Sequence, residues 1–201
     1  MYKKGFTLIE LMVSVTIFIV VMVIALGSLL SISAAERKAE GLKSVMNNLN
    51  FSLESMARSI RTGVTYHCGS GGVLDTPLDC PSGDNYLAFI PVCIAGQPCP
   101  PPPTIYRYEP LPGPCRSTVN SGCIMRSVNG KAELPITAPE VAITNLTFYV
   151  KGAVPEFQND LYSSQPKVTI TLSGAGGSVS SASAATTFSL QTSVTQRLYD
   201  Q

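Results

Sequence analysis

Gly5-Phe6-Thr7-Leu8-Ile9-Glu10-Leu11-Met12-Val13 opens a run that stays almost wholly apolar to Leu30, with Glu10 the one ionisable side chain between Phe6 and Leu30. A helix of roughly 25 residues rising about 1.5 Å each covers about 37 Å, more than the roughly 30 Å of a bilayer core. Lys3 and Lys4 precede the run. The positive-inside rule therefore sets the N-terminus in the cytoplasm and the bulk of the chain across the membrane. A secretory signal has a shorter apolar core, about 7–15 residues, followed by a small-residue cleavage site; this run is too long and shows no clear site of that kind. A plain signal anchor leaves Glu10 unexplained. A carboxylate in an apolar span costs several kcal/mol unless it is paired or near the interface, so Glu10 reads as a functional residue that needs a partner.

Beyond Ala34 the pattern turns amphipathic. Leu42, Val45, Met46, Leu49, Leu53, Met56 and Ile60 recur at spacings of three and four, while Glu36, Lys38, Glu40, Lys43, Glu54, Arg58 and Arg61 take the other faces. The spacing predicts one continuous helix from Phe6 to Thr62, about 85 Å long, with Gly63 as its C-cap and two arginines in the last turns. A coiled coil is the competing reading of the stripe, but it spans under three heptads. The stripe is read as a face buried against the rest of the chain.

The chain has 201 residues, a formal net charge of +1 and 13% charged residues. The length remaining beyond the helix is enough for one modest domain, and nothing in the charge balance argues for nucleic acid or an acidic tail. The six cysteines, Cys68, Cys80, Cys93, Cys99, Cys115 and Cys123, all lie after the apolar run, in a Gly/Pro-rich region without a C-x-x-C pair. They read as a disulfide framework outside the cytoplasm rather than a zinc site. Nearest-neighbour pairing (68 with 80, 93 with 99, 115 with 123) is expected because each pair closes a short loop, although other connectivities stay open. No metal and no cofactor are expected.

Residues 64–201 read as strands and loops. Leu87–Ile94 is a strand in which Pro91 argues for an edge or a bulge. Thr104–Tyr108 and Leu146–Val150 are strands. Cys123–Val128 and Lys131–Ile136 flank Asn129-Gly130, the turn pair of a tight hairpin. Lys167–Leu172 and Phe188–Val194 alternate polar and apolar, so each buries one face. Gly174–Ala185 is a Gly/Ser/Ala stretch expected to form a flexible loop, and Pro98 with Pro100–Pro103 a rigid extended segment. The fold class is α+β.

No catalytic set emerges. The single histidine, His67, precedes a disulfide cysteine and is expected to be a spare surface residue. Gly69-Ser70-Gly71-Gly72 lacks the lysine and the strand–helix context of a phosphate loop. Asp75, Asp79 and Asp84 are expected to be solvated loop acids; EF-hand spacing is absent. Asn145-Leu146-Thr147 is a sequon of the kind that arises by chance. Tyr106-Arg107-Tyr108 alternates aromatic and basic residues, as a DNA-facing surface does, but reads better as a strand with one arginine pointing outward.

Lys3-Lys4-Gly5-Phe6-Thr7-Leu8-Ile9-Glu10 resembles the leader motif of type IV prepilins and pseudopilins. The resemblance implies that prepilin peptidase cuts between Gly5 and Phe6, that Phe6 becomes an N-methylated terminus, and that Glu10 neutralises that terminal amine, usually of a neighbouring subunit during assembly. A desolvated amine and carboxylate are each costly alone and tolerable together, so the pair can specify register. The family implies a pilin-like roll, with the long helix packed on an antiparallel β-sheet. It divides the chain into a leader (1–5), a transmembrane and filament-core half of the helix (6–30), an amphipathic half (31–63) and a disulfide-containing β-rich domain (64–201). Implied partners are prepilin peptidase, other pilin or pseudopilin subunits, an inner-membrane assembly platform and membrane lipid, with DNA or a surface ligand as further options. Many major pilins carry a proline after the membrane half; here Ala25-Leu26-Gly27-Ser28 stands instead, which favours a minor subunit. Ser55–Gly63 and the strands 166–172 and 188–194 resemble the minor pilin W and pseudopilin J group. The expected role is a minor pilin. The alternatives are a type II secretion pseudopilin and, in another class, a membrane-anchored extracytoplasmic adhesin or binding module; an enzyme is not expected.

Overall fold

A computed structural model of the chain describes residue 5 and residues 7–93, 99–110, 115, 122–154, 165–176 and 186–197. One helix, α1, spans Leu8–Arg61. It is followed by β1 (Gly63–Cys68), β2 (Cys80–Asp84), β3 (Tyr86–Pro91), β4 (Thr104–Glu109), β5 (Cys123–Ser127), β6 (Leu134–Pro135), β7 (Val141–Lys151), β8 (Lys167–Gly176) and β9 (Thr186–Thr195). The chain divides into two compact units, residues 1–40 and 41–201.

The second unit holds two antiparallel sheets where one was expected. The first has the order β1-β3-β4-β5-β6 and the second β2-β7-β8-β9. A single apolar core joins them to the end of α1: Val45, Leu49, Met56 and Ile60 of the helix cluster with Tyr66, Leu87, Phe89, Tyr106 and Ile124 of the first sheet and Ile143, Phe148, Val168, Ile170 and Leu172 of the second. The three-and-four stripe predicted these helix contacts, but Leu42, Met46 and Leu53 are only partly buried. Ser52, which the stripe omitted, is 1% exposed and donates to the Ile136 carbonyl at 2.9 Å. Asn48 accepts from the Ala138 amide at 3.0 Å. These two polar contacts fix the helix against the segment after β6.

The helix end is fully accounted for. The last four carbonyls of any helix lack intrahelical partners. Here the Thr62 hydroxyl reaches the carbonyls of Arg58 and Ser59 at 3.3 and 3.1 Å. The Tyr66 hydroxyl reaches that of Ile60 at 2.6 Å, and the Arg197 amide donates to that of Arg61 at 2.9 Å. Gly63 is therefore not the left-handed C-cap expected of it. It is already strand, opposite Pro91, and is a glycine because the Phe89 ring lies against it.

Four strand expectations need correction. β3 pairs on both sides, with β1 and β4, so it is not an edge; Pro91 is tolerated because it is the strand's last residue. The hairpin does carry Asn129 and Gly130 at positive φ (55° and 69°), but its return strand is only Leu134–Pro135. Ser127 donates to the Lys131 carbonyl, and Glu133 engages Arg107, so side-chain bonds stand where ladder bonds were expected. β7 begins five residues earlier than the alternation suggested, because a register shift between Ile143 and Asn145 breaks the period-two pattern. β8 runs through Gly176 into the expected loop, whose residues 177–185 lie outside the described residues. A Cβ on Gly174 would strike the Ala142 carbonyl and the Phe188 ring, and one on Gly176 would strike Val45, so these glycines serve packing.

Candidate functional site

The N-terminal motif starts with a cap. Thr7 precedes the helix; the Glu10 amide donates to its Oγ1 at 3.4 Å and the Leu11 amide to its carbonyl at 3.3 Å. Thr7-x-x-Glu10 has the spacing of a capping box, a signal legible in the sequence that the leader motif overshadowed. Glu10 lies in the first turn, where the helix dipole favours a carboxylate. Its side chain is exposed, and no carboxylate partner of Glu10 is found among the described residues. Gly5 is exposed, with open space where a Cβ would be. Among the described residues nothing would contact a side chain there. Phe6, Lys3 and Lys4 lie outside the described residues.

Along the apolar half, every large hydrophobic side chain from Leu8 to Ile32 is between 46% and 78% exposed. Two of its hydroxyls are turned onto their own helix. Ser14 donates to the Glu10 carbonyl at 2.9 Å and Thr16 to the Val13 carbonyl at 2.8 Å, which hides hydroxyls that lipid would penalise. With a mean hydropathy of 2.8 over its most apolar stretch, the helix is long and apolar enough to cross a membrane. Gly27 sits in open space inside the helix, where glycine costs about 1 kcal/mol relative to alanine.

In the second unit Cys68 is bonded to Cys80, Cys93 to Cys99 and Cys115 to Cys123. The first bond joins β1 of one sheet to β2 of the other. His67 is not a surface residue: it is 2% exposed, with Nδ1 2.8 Å from the Thr76 carbonyl and Nε2 2.8 Å from the Gly71 carbonyl. It pins the 69–79 loop, a role that its position beside Cys68 does not announce. Asp79 and Asp84 are not merely solvated. Asp79 accepts from the amides of Gly152 and Ala153 at 3.0 and 2.7 Å, and Asp84 from that of Tyr86 at 3.0 Å. Asp75 is exposed. Among the described residues no cluster of three or more His, Cys, Asp or Glu side chains is placed to hold a metal.

Arg107, read as pointing outward, is bound by Glu133 and Glu109, which together neutralise it and hold its guanidinium up in pKa. Tyr106 is buried. The Tyr-Arg-Tyr strand therefore offers DNA no unpaired cation. Asn145 of the sequon is exposed on β7.

Residues 1–34 match the family described as the prokaryotic N-terminal methylation motif. No curated protein and no solved structure matches the chain. This motif, carried on a capped and exposed apolar helix, supports a place for the chain among type IV prepilins and pseudopilins.

Proposed function

We propose that the chain is a minor pilin of a type IV pilus or related filament. It is inserted with its N-terminus cytoplasmic and its β-rich domain outside, cut by prepilin peptidase between Gly5 and Phe6, and methylated at Phe6. It then assembles through α1 with other pilin-type subunits at an inner-membrane platform. The methylation motif over residues 1–34 carries this reading. An exposed Gly5, with nothing among the described residues to contact a side chain there, suits recognition by an external enzyme. Glu10, without a carboxylate partner among the described residues, suits pairing with the terminal amine of a neighbouring subunit, since each charge is costly in an apolar environment and the two offset one another. The absence of proline throughout Leu8–Arg61 favours a minor subunit, and the pseudopilin J-like role is the nearest alternative.

The test is intact mass and N-terminal sequencing of membrane-extracted protein, with and without co-expressed prepilin peptidase. Loss of residues 1–5 and an N-methyl-phenylalanine start are expected. An intact Met1, alongside a control substrate that is cut, would leave a signal-anchored binding module as the better account.

A further inference from the structure

Two arginines on adjacent strands meet opposite fates. Arg107 on β4 has two carboxylates, Glu109 and Glu133. Arg126 on β5, register partner of Tyr106, has none among the described residues. Its guanidinium carbon lies 5.8 Å from the centre of the Tyr106 ring, and its Nε is buried with no acceptor. The Tyr106 hydroxyl is likewise buried; Ser59 and Arg126 lie beside it without reaching hydrogen-bond geometry. A part-buried cation without an anionic partner is unfavourable, and an anion seated beside the guanidinium offsets that cost.

Arg126 lines a hollow of about 230 Å³ between the end of α1 and the first sheet. Ser59 of the helix and Thr62 just past its end line it too, their hydroxyls already donated to helix carbonyls, and Phe89, Pro91 and Val128 form an apolar wall; among the described residues that line it none is acidic. A planar guanidinium fork matches a carboxylate in a bidentate way. One cation in a largely apolar hollow suits a monoanion better than a phosphate, whose charge calls for more donors. We propose that this hollow is a binding site for a small organic carboxylate with an apolar body, its anionic group on Arg126 and its body against Phe89 and Val128. The assignment is independent of the filament reading.

The probe is sodium benzoate, titrated into the full-length chain in detergent micelles and followed by saturation-transfer NMR, with protein-free micelles as the blank. Saturable binding is expected, weakened about tenfold or more for benzamide, which has nearly the same shape and no charge. Arg126→Gln is expected to abolish the difference between the two probes, and Arg126→Lys, which keeps charge without the fork, to retain part of it. The benzoate–benzamide comparison needs only wild-type protein, so the test survives a variant that fails to fold. Absence of saturable benzoate binding, equal binding of the two probes, or an unchanged benzoate preference in folded R126Q would overturn the proposal.

Discussion

The two halves of α1 share one backbone and differ in everything their side chains meet. From Leu8 to Ile32 every large hydrophobic is exposed, and the hydroxyls of Ser14 and Thr16 fold back onto the helix itself. Between Val45 and Ile60, the side chains of Val45, Leu49, Met56 and Ile60 are among the most buried in the molecule, and polar groups on the same face bond to distant segments. The first half is apolar all round and carries no internal packing constraint, so its sequence answers to a surrounding medium or to other chains. The second is apolar on one face, so its sequence answers to this chain's own core.

The sharpest way to break that contrast is paired truncation. Leu49→Ala should cost about 2–5 kcal/mol of domain stability, because Leu49 is fully buried. Leu26→Ala, on an exposed position, should change it by less than about 0.5 kcal/mol. Urea unfolding of the full chain in detergent, read by near-ultraviolet circular dichroism, compares them; similar losses would erase the distinction. Next in size is the covalent tie. Replacing Cys68 and Cys80 by serine opens a loop of 12-residue separation and should cost about 3 kcal/mol.

A smaller effect concerns the junction of helix and sheet. The buried Tyr66 hydroxyl caps α1 and donates to Ile60 and Gly63 carbonyls. Burial raises its pKa above the ordinary value of 10.0. With the folded value above the unfolded one, this contribution is complete below about pH 10 and lost as pH climbs beyond it, since the unfolded phenol ionises first. Stability should thus fall in alkali, and Tyr66→Phe should make the fall shallower, at a cost of about 1 kcal/mol at neutral pH. Tyr106 and Tyr86, also raised by burial, add to the slope. Smallest is the exposed Glu54–Arg58 pair: Glu54→Gln should change stability by no more than about 0.5 kcal/mol in the same urea assay.

The helix, the α+β class and the cores of β3, β4, β5, β7, β8 and β9 were legible because period 3.6, period 2 or a short apolar run marks what is buried. The rest was hidden for local reasons. β1 carries a bulge at Thr65, with φ of 53°, that turns three successive residues inward. β2 reads Cys-Pro-Ser-Gly-Asp, turn composition held as a strand by its pairing with β7. The glycines ending β8 look like linker until Val45 and Phe188 are placed over them. At the N-terminal motif, Gly5, Phe6 and Glu10 stand out through their resemblance to the prepilin leader, and their roles remain proposals. The polar bonds of Asp79 and Arg107 depend on residues far away in sequence, which no local pattern encodes.

The closed accounting of the helix end has a mechanical consequence. Thr62 alone separates α1 from β1, whose far end is bonded through Cys68 to β2, one edge of the second sheet; Arg197, just past β9 at the other edge, donates to Arg61. A pull on α1 therefore enters the first sheet through the main chain and reaches the second at both of its edges. Load is shared between a covalent and a hydrogen-bonded route, and reduction of Cys68–Cys80 would leave only the weaker one to resist it.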